Sequence, residues 1–159
     1  MVWFCNKIIP KLREQGNFQL KVVGRRPLAS VQALKHIEGV EIVGEVPDVR
    51  PYLHEADIAI SPLKLARGIQ NKVLEAMATE LPCVLSPHAF SPLGLPTEGH
   101  TEVCQDAESF AQKIDALLDH PEQAQAMAQR AKQQVEVVFS WEQHGRRLHD
   151  ILKETSQLK

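Results

Sequence analysis

Short runs rich in Val and Ile alternate with helical patterns over the first two thirds of this 159-residue chain. The longer runs end at or beside Gly or Pro, which is typical of buried strands. They are Gln19–Gly24, Val40–Val46, Asp57–Pro62 and Pro82–Pro87, and a shorter run follows at His100–Cys104. Because strands that alternate with helices pair in parallel, the pattern predicts an α/β fold: a Rossmann-like open parallel sheet with helices on both faces.

The segments between these strands have the spacing of helices. Helices are predicted over about residues 2–15, 28–37 and 71–79, with a short one after Asp48. In an open parallel sheet, ligands bind beyond the carboxyl ends of the strands. The loops that follow the predicted strands are therefore the first places to look for a functional site.

The last third of the chain carries no strand signal and predicts a helical extension. Pro121 suits the first position of a helix, and Ser140–Gln143 has the spacing of a capping box that starts a last helix. The apolar positions expected to face the core are Phe110, Ala111, Ile114, Leu117 and Leu118, followed by Met127, Ala128, Ala131, Val135 and Val138. No linker or repeat interrupts the pattern, so residues 1–159 are predicted to form one domain.

Composition excludes several classes of function. The formal net charge of -2 leaves no basic excess to neutralise the phosphates of a nucleic acid. Cys5, Cys83 and Cys104 are odd in number and include no CxxC pair, so they predict reduced thiols rather than disulfides or a zinc site. No apolar run reaches the roughly 18 residues of a membrane span, and the first residues lack the basic region of a signal peptide. A soluble, cytoplasmic protein is expected.

The loop with the most chemical content is the sequence SPLKLARGIQNK, residues 61–72. Pro62 ends the preceding strand, and Gly68 allows a positive φ or a close backbone approach. A helix that starts near Gln70 leaves the N–H groups of about Ile69 to Lys72 without helical acceptors, which makes a ready site for an anion. The charge of Lys72 reinforces this prediction.

Glu75 follows one turn later among apolar residues of the same predicted helix. A carboxylate only accepts hydrogen bonds, so its natural partner beside an anion site is a pair of hydroxyls such as those of a ribose. The alternative is a solvated helix acid that pairs with Lys72 or Asn71. Both interpretations remain open on the residues alone.

Three stretches together resemble a known family: GEVPDVRPYLHEADIAISP, PLKLARGIQNKVLEAMATELPCVLS and the closing FSWEQHGRRL. They are similar to the C-terminal, donor-nucleotide-binding domain of retaining GT-B glycosyltransferases, of the type found in bacterial exopolysaccharide synthesis. The resemblance runs over nearly the whole chain. Its most specific part is the run that ends in Leu74-Glu75-Ala76-Met77-Ala78, in order with Ser61-Pro62, Gly68 and Pro82.

The resemblance implies a hexosyl transfer, with retention, from a UDP- or GDP-sugar to a glycan or lipid-linked acceptor. It implies that Glu75 holds the ribose hydroxyls, that the backbone of Gly68, Ile69, Gln70 and Asn71 approaches the diphosphate, and that Val46-Pro47-Asp48 borders the base. No metal cofactor is expected, because helix N–H groups and basic side chains stabilise the leaving diphosphate. A membrane-peripheral position of the full-length enzyme is compatible with a lipid-linked acceptor.

Two departures from the family pattern limit these implications. The family often has a first glutamate eight positions before the second one, and Arg67 stands there in this chain. Arg67 is therefore either an added phosphate contact or a sign of altered sugar recognition. The chain also begins after the point where the family's first strand of this domain is expected, and the acceptor domain is absent. A fragment that is inactive alone is expected, with a sheet edge or cleft face free for homodimerisation.

Other residues have functional and structural interpretations side by side. Arg25 and Arg26 follow a strand, where they either contact a phosphate or are surface charges. His88 and His100 are expected to be loop histidines. Trp3 and Trp141 are expected to anchor helices. Three hypotheses follow: half of a glycosyltransferase, a non-catalytic binding or assembly module of the same fold, or another enzyme such as a sugar-nucleotide epimerase. The last needs a two-domain cleft, which a chain of this length does not supply.

Overall fold

The computed structural model describes residues 1–13, 18–96 and 99–157. The strands are β1 Leu20–Val23, β2 Val40–Gly44, β3 Ala59–Ser61, β4 Cys83–Leu85 and β5 Glu102–Val103. The α-helices are α1 Val2–Lys7, α2 Ile9–Arg13, α3 Ala29–Gln32, α4 Arg50–Glu55, α5 Asn71–Ala78, α6 Pro87–Phe90, α7 Ala107–Asp119, α8 Pro121–Phe139 and α9 Trp141–Gln157. Short 3₁₀ helices cover Ala33–His36 and Ser91–Leu93.

Every described strand pair is parallel, which confirms the predicted α/β class. The strands form two ladders, β1 with β2 and β3-β4-β5, rather than one continuous sheet. Leu20 lies opposite Val40 in the first ladder, and Ala59 lies opposite Cys83 in the second. The five predicted strands are thus all present, each shorter than its apolar run.

Helices cover both faces of the sheet, as β4 shows most directly. Val84 belongs to one apolar cluster, while Cys83 and Leu85 belong to another. Successive side chains of a strand point to opposite faces, so the two clusters lie on opposite sides of the sheet. Helices α1, α2 and α7 contribute to the cluster of Val84, and α5 and α6 contribute to the other. Helix α8 supplies residues to both.

The first predicted helix is divided in two. Helix α1 ends at Lys7 and α2 begins at Ile9, because Pro10 has no N–H to donate and its ring crowds the preceding turn. The predicted end of this helix at Gln15 lies outside the described residues. The second predicted helix likewise consists of α3 and a following 3₁₀ turn.

The helical extension follows the predicted bounds closely. Asp106 accepts a hydrogen bond from the Ser109 N–H at 2.8 Å to cap α7, Pro121 opens α8, and α9 starts at Trp141. The Gln143 side chain of the predicted capping box lies outside the described residues. Two expectations of burial were wrong, because Leu118 and Val138 are exposed, and Trp141, which was expected to anchor its helix, is exposed to 91%. Their helices carry these residues beyond the edge of the packed layer.

Candidate functional site

The N-terminus of α5 has no side-chain cap. Gln70 occupies the N-cap position, and its side-chain amide donates instead to the Gly68 carbonyl oxygen at 3.1 Å. The first helical donor among the described residues is the Val73 N–H, which bonds to the Gln70 oxygen at 2.9 Å. The N–H groups of Asn71 and Lys72 therefore keep the open positions that an anion occupies at a helix start.

Gly68 has a φ of +70°, and a Cβ placed there would contact nothing within 4 Å. Both predicted uses of this glycine are thus compatible with its geometry, since the backbone is left-handed and one side of the residue is open. The neighbouring side chains of Arg67 and Ile69 are exposed. Arg67 forms no hydrogen bond or ion pair within the described residues, so its guanidinium is available at the same loop.

The Glu75 carboxylate is exposed on α5 and has no hydrogen bond or ion pair in the described part of the chain. The alternative in which Lys72 or Asn71 pairs with this acid is not formed. Only the backbone of Glu75 is engaged, since its carbonyl oxygen accepts from Thr79. Glu75 lies one helical turn beyond Asn71, while its neighbours Ala76 and Met77 are buried. Its acceptor oxygens are therefore free for a ligand.

Lys72 adds a positive charge at the same helix start. Its side chain is largely exposed, yet partial burial of its ammonium lowers the pKa of this group. Burial also lowers the pKa of the Met1 α-amino group; nearby Cys5 opposes this shift, and the Lys72 charge adds to it. Lys72 therefore places a partly desolvated positive charge at the start of α5, where it favours a bound anion.

The second predicted segment, Val46-Pro47, lies on the other ladder, after β2. Asp48 fixes this loop by accepting hydrogen bonds from the Arg50 backbone N–H at 3.0 Å and from its guanidinium at 2.9 Å. The Arg50 side chain, followed by its backbone N–H, lowers the pKa of Asp48. Among the described residues, no hydrogen bond or ion pair joins Val46 or Pro47 to Gly68–Lys72. Direct polar contacts therefore do not link this loop to the α5 residues within the described part of the chain.

Arg25 forms an ion pair with Glu45, in the loop after β2. Its guanidinium lies 3.9 Å from the Glu45 carboxylate, and both side chains are well exposed. Such a surface pair contributes little to stability. Arg26 follows with a φ of +47° at the turn after β1. The structural interpretation of Arg25 as a surface charge therefore fits best.

A cavity of about 550 Å³ lies at the carboxyl edge of the second ladder. Its wall includes Pro62 after β3, Ser86 after β4, and Cys104 after β5, together with His88 and the aromatic side chains of α1 and α7. Lys64 also lines it, with its Nζ 5.2 Å from the centre of the Trp3 ring. Sequence reasoning missed Lys64, although its position two residues after the strand-ending Pro62 is a signal for the carboxyl edge.

Ser86 connects this cavity to the loop that precedes α5. Its hydroxyl donates to the Leu63 carbonyl oxygen at 2.6 Å and accepts from the Ala89 N–H at 3.3 Å. Trp3 packs edge-on against Phe110, so it anchors α1 as expected while also lining the cavity. The loop of residues 62–70 is thereby fixed at both ends, by Ser86 and by α5.

No metal centre forms in the described part of the chain, where no three His, Cys, Asp or Glu side chains cluster. His88 is exposed, and the half-buried His100 has an Nδ1 without a hydrogen-bond partner. Within the described residues, no helix is long and apolar enough to cross a membrane.

Comparison with known proteins supports the fold. The family model of Glycosyl transferases group 1 matches residues 1–120. No curated protein sequence matches the chain. Since the family match includes β1 to β5 and the whole α5 segment, it covers the candidate site.

Several solved structures have the same fold at low identity. Sucrose-phosphate synthase from Thermosynechococcus elongatus matches 98% of this chain at 19% identity with a TM-score of 0.76. HepE from Anabaena, in complex with UDP and glucose, matches 93% of this chain at 14% identity with a TM-score of 0.75. The C-terminal domain of the group 1 protein LpcC from Francisella tularensis matches 88% of this chain at 16% identity with a TM-score of 0.73. The chain spans 43% of the first, 44% of the second and 79% of the isolated domain.

Proposed function

Because this chain belongs to the Glycosyl transferases group 1 family, we propose that it is the donor-binding half of a glycosyltransferase. Its substrate in this proposal is a UDP- or GDP-sugar, from which a hexose passes to a glycan or lipid-linked acceptor with retention at the anomeric carbon. The similar HepE structure holds UDP and glucose, which supports the choice of a nucleotide-sugar. The match to an isolated C-terminal domain supports the assignment to that half.

One observation carries the proposal: an unpaired carboxylate and an uncapped helix start lie on the same short helix. Glu75 is free to accept hydrogen bonds from two ribose hydroxyls. The N–H groups of Asn71 and Lys72 face outward from the first turn, where a diphosphate binds favourably. A nucleoside diphosphate presents both kinds of group a few ångströms apart, as α5 presents both kinds of partner.

The same residues supply what the reaction needs from this half. Breaking the bond between the sugar and the diphosphate leaves negative charge on the diphosphate, and the Lys72 ammonium with the helix N–H groups stabilises that charge. Arg67, exposed in the preceding loop, is a further cation for the phosphates. We propose that this electrostatic stabilisation works without a metal ion. Val46-Pro47, fixed by Asp48 and Arg50, borders the base in this proposal.

The acceptor side of the reaction requires a second domain. We propose that residues 1–159 bind the donor and do not complete transfer alone, because a GT-B reaction takes place between two domains. An exopolysaccharide pathway in bacteria, a cytoplasmic location and peripheral contact with the inner membrane are parts of this proposal that follow from the family resemblance. Homodimerisation through a free sheet edge is proposed for the chain by itself.

A non-catalytic binding or assembly module is the second candidate. Arg67 favours it, because this residue replaces a glutamate that contacts the donor sugar in much of the family. In that case the nucleotide site persists without productive recognition of the sugar. The two candidates differ in whether the sugar adds affinity to the nucleotide.

The test is ligand-observed NMR with UDP, GDP, ADP and their sugars against the wild-type chain and two variants. Glu75→Ala removes the proposed ribose acceptor. Glu136→Ala is the matched control, because Glu136 is also an exposed helix glutamate but lies on α8. We expect one nucleotide to bind, Glu75→Ala to weaken it by about 10- to 100-fold, and Glu136→Ala to leave it unchanged.

The affinity of a nucleotide-sugar, compared with that of its nucleotide, distinguishes the two candidate functions. Tighter binding of a nucleotide-sugar than of its nucleotide supports the donor half, and equal binding supports the non-catalytic module. Equal losses in Glu75→Ala and Glu136→Ala, or no binding of any nucleotide at millimolar concentration, would overturn the proposed role of α5.

A further inference from the structure

Glu80, just after the end of α5, has a backbone conformation that residues other than glycine rarely adopt. Its φ is +56°, in the left-handed region. It follows the C-cap residue Thr79, and its N–H donates to the Met77 carbonyl oxygen at 3.1 Å to close the end of the helix. Glycine usually occupies this position, because it has no Cβ to crowd the backbone. A strained residue persists where its surroundings hold it in place, so the Glu80 side chain is the next feature to consider.

The Glu80 carboxylate reaches helix α8. One of its oxygens accepts a hydrogen bond from the Lys132 ammonium at 2.8 Å, and the other accepts from the Gln125 side-chain amide at 3.2 Å. These two partners lie about two turns apart on α8, so the carboxylate spans both turns. The side chains of Lys132 and Glu80 are 36% and 34% exposed, compared with 79% and 63% for the surface pair of Arg25 and Glu45. The Glu80–Lys132 pair is therefore much better shielded from solvent.

Apolar side chains join the same two helices. Val73 and Met77 of α5 lie in one buried cluster with Ala131 and Val135 of α8. This packing covers one face of α5, but apolar burial is non-directional and does not fix a position along the helix axis. Hydrogen bonds to donors on two successive turns of α8 do fix such a position, because their lengths and angles are restricted. Glu80 therefore adds to the packing a defined placement of α5 along α8.

Helix α5 connects this contact to the candidate site. It has eight residues, about 12 Å of helix, with Asn71 and Lys72 at its start and Glu80 two residues after its end. The Glu75 carboxylate has no hydrogen bond or ion pair within the described residues, so its position follows that of the helix backbone. A shift of α5 along α8 would therefore move the free N–H groups and the Glu75 carboxylate together.

We propose that Glu80 is a positioning residue of the donor site, which holds the start of α5 in place by fixing the other end of this helix to α8. This inference rests on the proposed function, because the groups that Glu80 positions are those assigned to the nucleotide. Closing the helix end does not explain a glutamate here, since glycine would make the same backbone bond without the left-handed strain. The contact with Lys132 and Gln125 is what the glutamate adds.

The first test removes the carboxylate and keeps the fold. Glu80→Gly relieves the left-handed backbone, which offsets the lost ion pair, so its urea unfolding should be close to that of the wild-type chain. NMR titration with UDP, GDP or ADP, whichever binds the wild-type chain, should show about five-fold weaker binding. Lys132→Gln should also weaken binding. Lys113→Gln is the matched control and should not, because Lys113 is likewise a helix lysine paired with a glutamate but lies on α7.

Exchange of the two charges is the rescue. The double variant Glu80→Lys with Lys132→Glu restores an ion pair between α5 and α8, and it should recover about half or more of the lost affinity. A second reading needs no nucleotide. In the free chain, the amide chemical shifts of Asn71 and Lys72 should move in Glu80→Gly, return toward wild type in the double variant and stay unchanged in Lys113→Gln.

Two results would overturn the proposal. One is a folded Glu80→Gly whose nucleotide affinity and Asn71 and Lys72 amide shifts equal those of the wild-type chain, and the other is a loss of affinity that the charge exchange leaves unchanged. Should Glu80→Gly fail to fold, Lys132→Gln gives the same comparison with residue 80 intact. If the wild-type chain binds no nucleotide, the proposed function fails, whereas the amide shifts still decide whether Glu80 fixes the start of α5.

Discussion

The Gln70 side chain donates to the Gly68 carbonyl oxygen at 3.1 Å, two residues back along the loop. The N-cap residue of α5 therefore stabilises the loop that leads into the helix rather than the helix itself. Ser, Thr, Asp or Asn at this position would accept from the first turn and satisfy a free N–H. An uncapped start costs the helix some stability and leaves its donors for a ligand.

Gln70→Ser is expected to raise the stability of the chain and to weaken nucleotide binding. A serine hydroxyl accepts from an N–H of the first turn, so the free energy of unfolding should rise by about 0.5–1 kcal/mol. The same bond withdraws a donor from the anion, so nucleotide affinity should fall. Urea unfolding and NMR titration measure the two effects. Gln32→Ser in α3 is a control remote from the site, and a nucleotide affinity unchanged by Gln70→Ser would contradict the role given to the helix start.

Gly68→Ala is expected to strain the loop without any clash. The left-handed φ of +70° costs an alanine about 1–2 kcal/mol, although its Cβ meets no atom within 4 Å. Gly24→Ala is the matched control, because its Cβ also meets nothing and its φ is not positive. The difference in unfolding free energy between the two variants measures the backbone cost. Equal stabilities would show that the loop relaxes freely at residue 68.

The sequence predicted the order and type of the elements well, because strand and helix leave different periodicities. The four Val- and Ile-rich runs became β1 to β4 and HTEVC became β5. Pro10 is a signal in the sequence for the division of the first helix, and the prediction of one helix over residues 2–15 did not take it into account. Exposure at Leu118, Val138 and Trp141 was not predictable, because periodicity identifies a face and not the extent of the surface that covers it.

One part of the candidate site was likewise predictable from the sequence, and another part was not. Gly68, Lys72 and Glu75 are close in sequence on one loop and helix, so their proximity followed from the helical spacing. Whether Glu75 would pair with Lys72 depended on side-chain directions that spacing does not determine. The position of Lys64 over Trp3 joins residues 61 apart in sequence, and only the packing of α1 beside the strand ends reveals it.

Chelation should leave nucleotide binding intact. The proposed partners of the diphosphate are helix N–H groups and the Lys72 ammonium, so the affinity of the best nucleotide is expected to change less than about two-fold in excess EDTA. Lys72→Gln should weaken binding about ten-fold in the same buffer, while Lys35→Gln, an exposed lysine in the turn after α3, should not. Titrations with and without EDTA decide this. Loss of binding on chelation would show that a metal ion carries part of the phosphate charge.

Self-association is expected for the 159-residue chain alone. Within the described residues, β1 pairs only with β2 and β3 pairs only with β4, so one edge of each strand presents unpaired backbone groups that another copy can pair. Light scattering across a concentration series should show a mass that rises from the monomer toward the dimer. A constant monomer mass would mean that the half-buried edges are protected without a partner.

Burial raises the pKa of two cysteine thiols, so both thiols stay protonated at alkaline pH. The pKa of Cys83 is raised to about 12 and that of Cys104 to about 11, from an ordinary value of 9.0. Burial also raises the pKa of Cys5. Thiolates are the reactive form, so none of these residues should react with a disulfide reagent at pH 8 while the chain is folded, and all three should react after unfolding.

Cys83 also makes stability depend on pH on the alkaline side. Because its pKa is raised in the folded state, its contribution to stability is full below pH 9, where both states hold the proton. As pH rises from 9 toward 12, the unfolded chain releases this proton first, so stability falls by at most about 1.4 kcal/mol per pH unit. Urea unfolding between pH 8 and 10.5 should show a steeper loss for the wild-type chain than for Cys83→Ala. Parallel profiles would mean that the thiol reaches solvent in the folded state.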